Sequence, residues 1–332
     1  MSVIVSAVLW ALVTVMALRF RTRPDNSLFW AALLIAVSVS TNINGVYLAV
    51  DEVLPGSNFL DLAANCLLLA GVYFLARAIM KGATQLGAAT SPPQRGLNIA
   101  ALLTAATMVG VFPLIDAPII STTFMLDYGD QPAAAAYSIV QYGYIFAVMA
   151  FTLSSCVRNV PHMRKGRFRV GFSIIGAGCL IALVLCVVVI AMDLAHLGRD
   201  MTLMRELGYI YDWLYALTIV VLCVGLAVAP LIRLYTSLRL VRQLRCTYPQ
   251  IRGIWGRTVA RQPSLSLVGV PESQTESRAG AAEAMAESIH RMTVEIHDWL
   301  NFENRSSDEL SAADRDILRQ AENLCLQSWR KR

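Results

Sequence analysis

Seven stretches of the chain are almost unbroken apolar runs, at about 3–19, 28–49, 59–80, 97–115, 134–156, 170–192 and 211–232. A run of about 20 apolar residues suits a helix in hydrocarbon, where every backbone N–H and C=O must be satisfied within the segment. Past residue 232 the pattern changes. Arg233, Arg239, Arg242, Arg245, Arg252, Arg257 and Arg261 come before any acid, and Leu238, Val241 and Leu244 interleave with them as on an amphipathic juxtamembrane helix. "PSLSLVGVPESQTESRAG" follows, with the proline, serine and glycine of a linker. Two amphipathic helices close the chain. In the first, about 280–303, Met285, Ile289, Met292, Ile296 and Trp299 form one apolar stripe, and in the second, about 312–329, Ile317, Ala321, Leu324, Cys325 and Trp329 form another. "NRSSDEL" turns between them, and Ser311 with Asp314 resembles a capping pair.

The expected fold is therefore an all-α polytopic membrane protein with seven transmembrane helices and a small cytoplasmic helical domain. Its parts are a seven-helix domain over 1–235, a basic juxtamembrane segment over 236–262, a linker over 263–279 and a helical hairpin over 280–332. Hairpins of this length are marginal alone, so this one is expected to dock on the juxtamembrane helix or on a second hairpin, as in a homodimer.

Composition agrees with a bilayer: 56% of the 332 residues are hydrophobic, 15% are charged and mean hydropathy is +0.54. The opening "MSVIVSAVLWALVTVMALRF" lacks the basic n-region and cleavage site of a signal peptide and reads as a retained helix. The net charge of +5 matters through its placement. Arg19, Arg21 and Arg23 follow the first run, Asp51 and Glu52 the second. Arg77, Lys81 and Arg95 flank the third connection, Asp116, Asp127 and Asp130 occupy the fourth, and "VRNVPHMRKGRFR" forms the fifth. By the positive-inside rule the N-terminus lies outside and the C-terminus in the cytoplasm. Arg239, Arg242 and Arg245 are then placed to contact anionic lipid. Pro230 is expected to kink the last span.

Polar side chains within the runs are the candidates for function. On this topology Asn42, Asn65 and Gln141 lie at one level, roughly 10 Å below the outer end of their helices. Tyr142, Tyr144, Tyr211, Asp212 and Tyr215 come from the same half. Two readings stand side by side: a shallow outward-facing pocket lined by Asn42, Asn65, Gln141, Tyr142 and Tyr215, or amides that hydrogen-bond neighbouring helices and aromatics that anchor the interface. No run carries an ionisable residue near its centre, which disfavours an ion-coupled carrier.

Seven cysteines without a C-x-x-C pair indicate neither a disulfide framework nor zinc. His162, His196, His290 and His297 fall on segments too dispersed for a metal cluster, no nucleophile motif or phosphate loop appears, and no cofactor is implied. No nucleic-acid-binding motif accompanies the arginines. Glu295-Ile296-His297-Asp298 has the look of a histidine-kinase phospho-acceptor box, with His297 off the apolar stripe, but the 35 residues after it cannot form an ATP-binding domain.

"SLRLVRQLRCTYPQIRGIW" at the membrane exit and "HRMTVEIHDWL" further on resemble a family of uncharacterised bacterial seven-helix membrane proteins with a C-terminal cytoplasmic helical domain, often labelled as transporters. Pro249 and Ile251 match its Pro-x-Ile turn, and Glu295, Ile296 and Asp298 match its Glu-Ile-Arg-Asp helix, with His297 in place of arginine. The resemblance implies no substrate, cofactor or catalytic residue. The expected function is a non-enzymatic membrane sensor or regulatory protein that couples an outer-face event to a cytoplasmic partner. The alternative is a transporter, or a subunit of one, for a small solute or lipid.

Overall fold

The computed structural model describes residues 2–18, 25–53, 58–85, 94–162, 166–258, 278–302 and 310–329. Arg19, Arg21, Arg23 and Arg261, most of the linker and most of the "NRSSDEL" turn lie outside the described residues. The elements are α1 (Ser2–Ala17), α2 (Ser27–Thr41), α3 (Asn44–Asp51), α4 (Phe59–Gln85), α5 (Gln94–Val111), a 3-10 turn (Phe112–Leu114), α6 (Phe124–Tyr128), α7 (Pro132–Asn159), a second 3-10 turn (Val160–His162), α8 (Arg167–Leu197), α9 (Met201–Thr258), α10 (Arg278–Phe302) and α11 (Ala312–Trp329). There is no strand among the described residues.

All seven apolar runs are helical, but not all as single spans. Those in α4, α5, α7, α8 and α9 are long and apolar enough to cross a membrane, and α1 is a shorter apolar helix. The run expected as one helix over 28–49 is broken: α2 and α3 meet at 84°, and only together do they count as a sixth span. The reason is local. Ser40 Oγ donates to the Ala36 carbonyl at 2.7 Å and Thr41 Oγ1 to the Ser38 carbonyl at 2.7 Å, so side chains take acceptors near the helix end. Asn42 then stops α2, and Ile43, in extended backbone, starts α3.

The chain divides into two compact units, Met1–Leu231 and Ile232–Arg332. In the first, α4 packs on α2, α5 and α7, α7 on α8, and α1 on α2. One apolar core joins α4, α5, α7 and α8 around Leu69, Met108, Tyr137 and Cys179, and another joins α1, α2 and α9 around Leu9, Ala36 and Cys223. Glycines bring α8 and α9 together: a Cβ on Gly225 would fall 2.9 Å from the backbone nitrogen of Ile175, and one on Gly178 2.7 Å from Leu222. Outward faces stay apolar. Ile99, Leu102 and Leu103 of α5, Leu180, Val184 and Val187 of α8, and Trp213, Leu217 and Val224 of α9 are exposed. Water would penalise such a belt, whereas lipid matches it.

In the second unit the hairpin of α10 and α11 docks on the last turns of α9. Leu244, Ile251 and Ile254 of α9 share a core with Ile289, Met292, Ile296 and Trp299 of α10 and with Leu318, Ala321 and Leu324 of α11. The buried stripe of the basic segment therefore runs through Leu244, Ile251 and Ile254. Leu238 is 61% exposed. Ser311 caps α11 as its spacing with Asp314 predicts: Asp314 N donates to Ser311 Oγ at 3.1 Å and Ser311 Oγ donates to Asp314 Oδ2 at 2.9 Å. The backbone of α9 is helical through Pro230.

Candidate functional site

On α4, Asp61 and Asn65 are one turn apart, and on α7 so are Tyr137 and Gln141, so each pair shares a helix face. Those faces meet. Asn65 Nδ2 donates to Asp61 Oδ2 at 2.9 Å and to Tyr137 Oη at 3.0 Å, Tyr137 Oη donates to Asp61 Oδ2 at 3.2 Å, and Gln141 Nε2 donates to Asn65 Oδ1 at 3.0 Å. Residues rise in step on both helices, so α4 and α7 run in the same direction here. The Asn65 amide is fully engaged, and Tyr137 and Gln141 are buried. This arrangement is the helix-bridging one: the amides bond within the protein.

Aromatic rings cover the network. Phe112 lies 5.8 Å from Tyr137 and stacks on Phe124 at 5.8 Å. The same end is closed by an unexpected hub at Asn58, which is fully buried with φ at 62°, a conformation asparagine tolerates. Its Oδ1 accepts from Ser121 N at 2.7 Å and its Nδ2 donates to the Ile119 carbonyl at 2.8 Å. Asp51, expected as a loop charge, is buried and caps the start of α4, accepting from Asn58 N at 2.7 Å and Leu60 N at 2.8 Å. Ser121 and Thr123 both donate to Asp127 in the connection before α7.

A second polar cluster lies on another face of α7. Ser138 and Tyr142, again one turn apart, lie near Asp193 of α8. Tyr142 lies within electrostatic reach of Tyr211, Tyr215 and Asp193, and the Tyr211 and Tyr215 rings stack at 5.8 Å. Asp193 is buried, and its Oδ2 has no hydrogen-bond partner among the described residues.

The single polar layer of the sequence reading thus resolves into two. Asn65 and Gln141 belong to the first cluster, and Tyr142 and Tyr215 to the second. Asn42 is exposed at the α2–α3 bend, and the hydrogen bonds of the first cluster do not include it. Tyr137, Asp193 and Ser138 completed the clusters unannounced. Their spacing to Gln141 and Tyr142 on α7 was the available signal, but partners on α4 and α8 come only from packing.

In the second unit, Arg239, Arg242 and Arg245 are exposed on α9. Glu295 is buried on α10, where it accepts from Trp255 Nε1 at 2.6 Å and Arg291 Nε at 3.0 Å. His297 is exposed and pairs with Glu322 of α11 at 2.5 Å. Glu295 of the kinase-like box is therefore a tie between α9 and α10. Among the described residues no three His, Cys, Asp or Glu side chains come together in a way that would hold a metal ion. No protein family, curated protein or solved structure matches the chain, and the functional reading rests on its own residues.

Proposed function

We propose that the chain is a non-enzymatic membrane sensor or regulatory protein that crosses the bilayer seven times, with its N-terminus outside and its second unit in the cytoplasm. It couples an outer-face event to a cytoplasmic partner. The observation that carries this reading is α9, one helix of 58 residues. It supplies Tyr211 and Tyr215 to the second polar cluster and Leu244, Ile251 and Ile254 to the core of the second unit. Displacement of one helix past its neighbours is an established way to carry a signal between sites.

The orientation follows the charges. Asp116, Asp127 and Asp130 sit by the start of α7, whereas Lys81 at the far end of α4 pairs with Asp25 at 2.9 Å. On this topology Arg239, Arg242 and Arg245 meet anionic headgroups, each worth about 1 kcal/mol. The apolar stripe of α10 is occupied within the chain, so pairing of two copies would use exposed residues such as Val294 and Leu326.

Hydrogen exchange of the full chain in lipid nanodiscs tests the coupling. Tyr211→Leu should alter protection along residues 285–300. Unchanged protection there, together with solute flux in proteoliposomes, would overturn the sensor reading and assign a transporter.

A further inference from the structure

We propose that Asp193, Ser138, Tyr142, Tyr211 and Tyr215 form a binding site for a small protonated organic amine. Asp193 is 6% exposed, one oxygen is unpartnered, and no described lysine or arginine pairs with it. A carboxylate in so dry a setting needs a counter-charge or a proton. His196, one turn further along α8, does not supply it. Its ring lies against Gly129, where a Cβ would fall 2.6 Å from Nδ1.

The neighbours of Asp193 select the kind of cation. The buried Asp193 Oδ2 is the open acceptor. Tyr142, Tyr211 and Tyr215 add phenol oxygens, which accept hydrogen bonds, and ring faces, which attract a cation. An alkylammonium uses both features: its N–H groups bond Oδ2 and a phenol oxygen while its carbon lies on a ring. A bare metal ion would want several oxygens at fixed short distances, for which stacked rings offer little. The three tyrosines are partly exposed, so the cluster is within reach from outside the protein core. The first cluster lacks this character because its carboxylate, Asp61, already accepts from Asn65 and Tyr137 through Oδ2.

Amine binding would be the outer-face event that the sensor reading requires. The proposal depends on that reading for its consequence, though not for the binding itself. The test uses the full chain in detergent, with butylammonium as probe, neutral 1-butanol as its control and sodium chloride at equal ionic strength. Thermal stabilisation should appear with butylammonium alone. Asp193→Asn, close in shape, should weaken apparent affinity at least tenfold, and Tyr215→Leu should weaken it while Tyr215→Phe largely preserves it. Asn65→Leu should leave affinity unchanged. Stabilisation absent in the wild type, equal with sodium, or retained in both Asp193→Asn and Tyr215→Leu overturns the site. Binding lost as expected in the variants, with wild-type hydrogen exchange in residues 285–300 unmoved by the amine, supports the site and overturns the sensor reading alone.

Discussion

Removing the tie between Trp255 and Glu295 tests whether the hairpin is held on α9 as described. Glu295 is only 3% exposed, and its carboxylate accepts from Trp255 Nε1 at 2.6 Å and Arg291 Nε at 3.0 Å. A hydrogen bond to a charged group contributes about 1.5–3 kcal/mol. The Arg291 pair deserves a discount, because that guanidinium is 33% exposed and can turn to water, which places it at about 1 kcal/mol or less. Glu295→Gln keeps an acceptor for the indole but loses the charge, and should cost about 1–2 kcal/mol. Trp255→Phe removes the donor and leaves a buried carboxylate oxygen unmet, at about 2–3 kcal/mol. The double variant should cost less than the sum, with a coupling of about 1–2 kcal/mol. Native-state hydrogen exchange over residues 289–300 of the full chain reads this directly, since about 1.4 kcal/mol is a tenfold change in opening. Additivity within about 0.5 kcal/mol would refute the claim that the two side chains interact.

Four further outcomes follow from the geometry. Gly225→Ala should lower thermal stability in detergent by the equivalent of about 1–3 kcal/mol, because the backbone of Ile175 cannot yield, whereas Gly208→Ala, with open space around it, should be neutral or stabilising. Asn65→Leu strands polar atoms of Tyr137 and Gln141 and should cost about 1–3 kcal/mol, and adding Gln141→Leu should cost less than it does alone. Burial would raise the Asp25 carboxyl, but hydrogen bonds from Ser27 and Lys81 outweigh it and hold the group at about 2, below its ordinary 3.8. The group is therefore a stronger acid folded than unfolded. Its stabilisation is complete above about pH 4 and is lost as pH falls toward 2, and Asp25→Asn should flatten that part of a stability–pH curve. Reporter fusions after Arg332 should be active only as cytoplasmic markers, and activity as an external marker would reverse the proposed topology.

Long elements were legible because their cause is local. Apolar runs of sufficient length become helices whatever surrounds them, and the cap at Ser311 needs only Asp314 three residues away. The break at Asn42 was written in "SVSTNIN" but hidden by hydropathy, which averages serine and threonine into their neighbours while ignoring their competition for backbone carbonyls. The candidate site was half visible. Asn65 and Gln141 stood out as amides in apolar runs, yet their joining through Tyr137 is a fact of helix packing, and Asp51 looked like a surface charge because nothing nearby in sequence shows that it caps α4.

The sharp end of α2 also bears on the bilayer itself. With 15 residues α2 rises about 22 Å, and α1, with 16, about 24 Å, against roughly 30 Å of hydrocarbon. Tilting shortens a helix's reach, so it cannot make up the deficit. In the proposed topology α3 turns off nearly sideways, and Val46, Leu48 and Val50 on it are exposed, as suits a segment resting among the acyl-chain ends. On that topology, lipid beside α1 and α2 would thin relative to that beside α8 unless flanking side chains reach out to the interface, and short-chain surroundings would then suit these two helices better than long-chain ones.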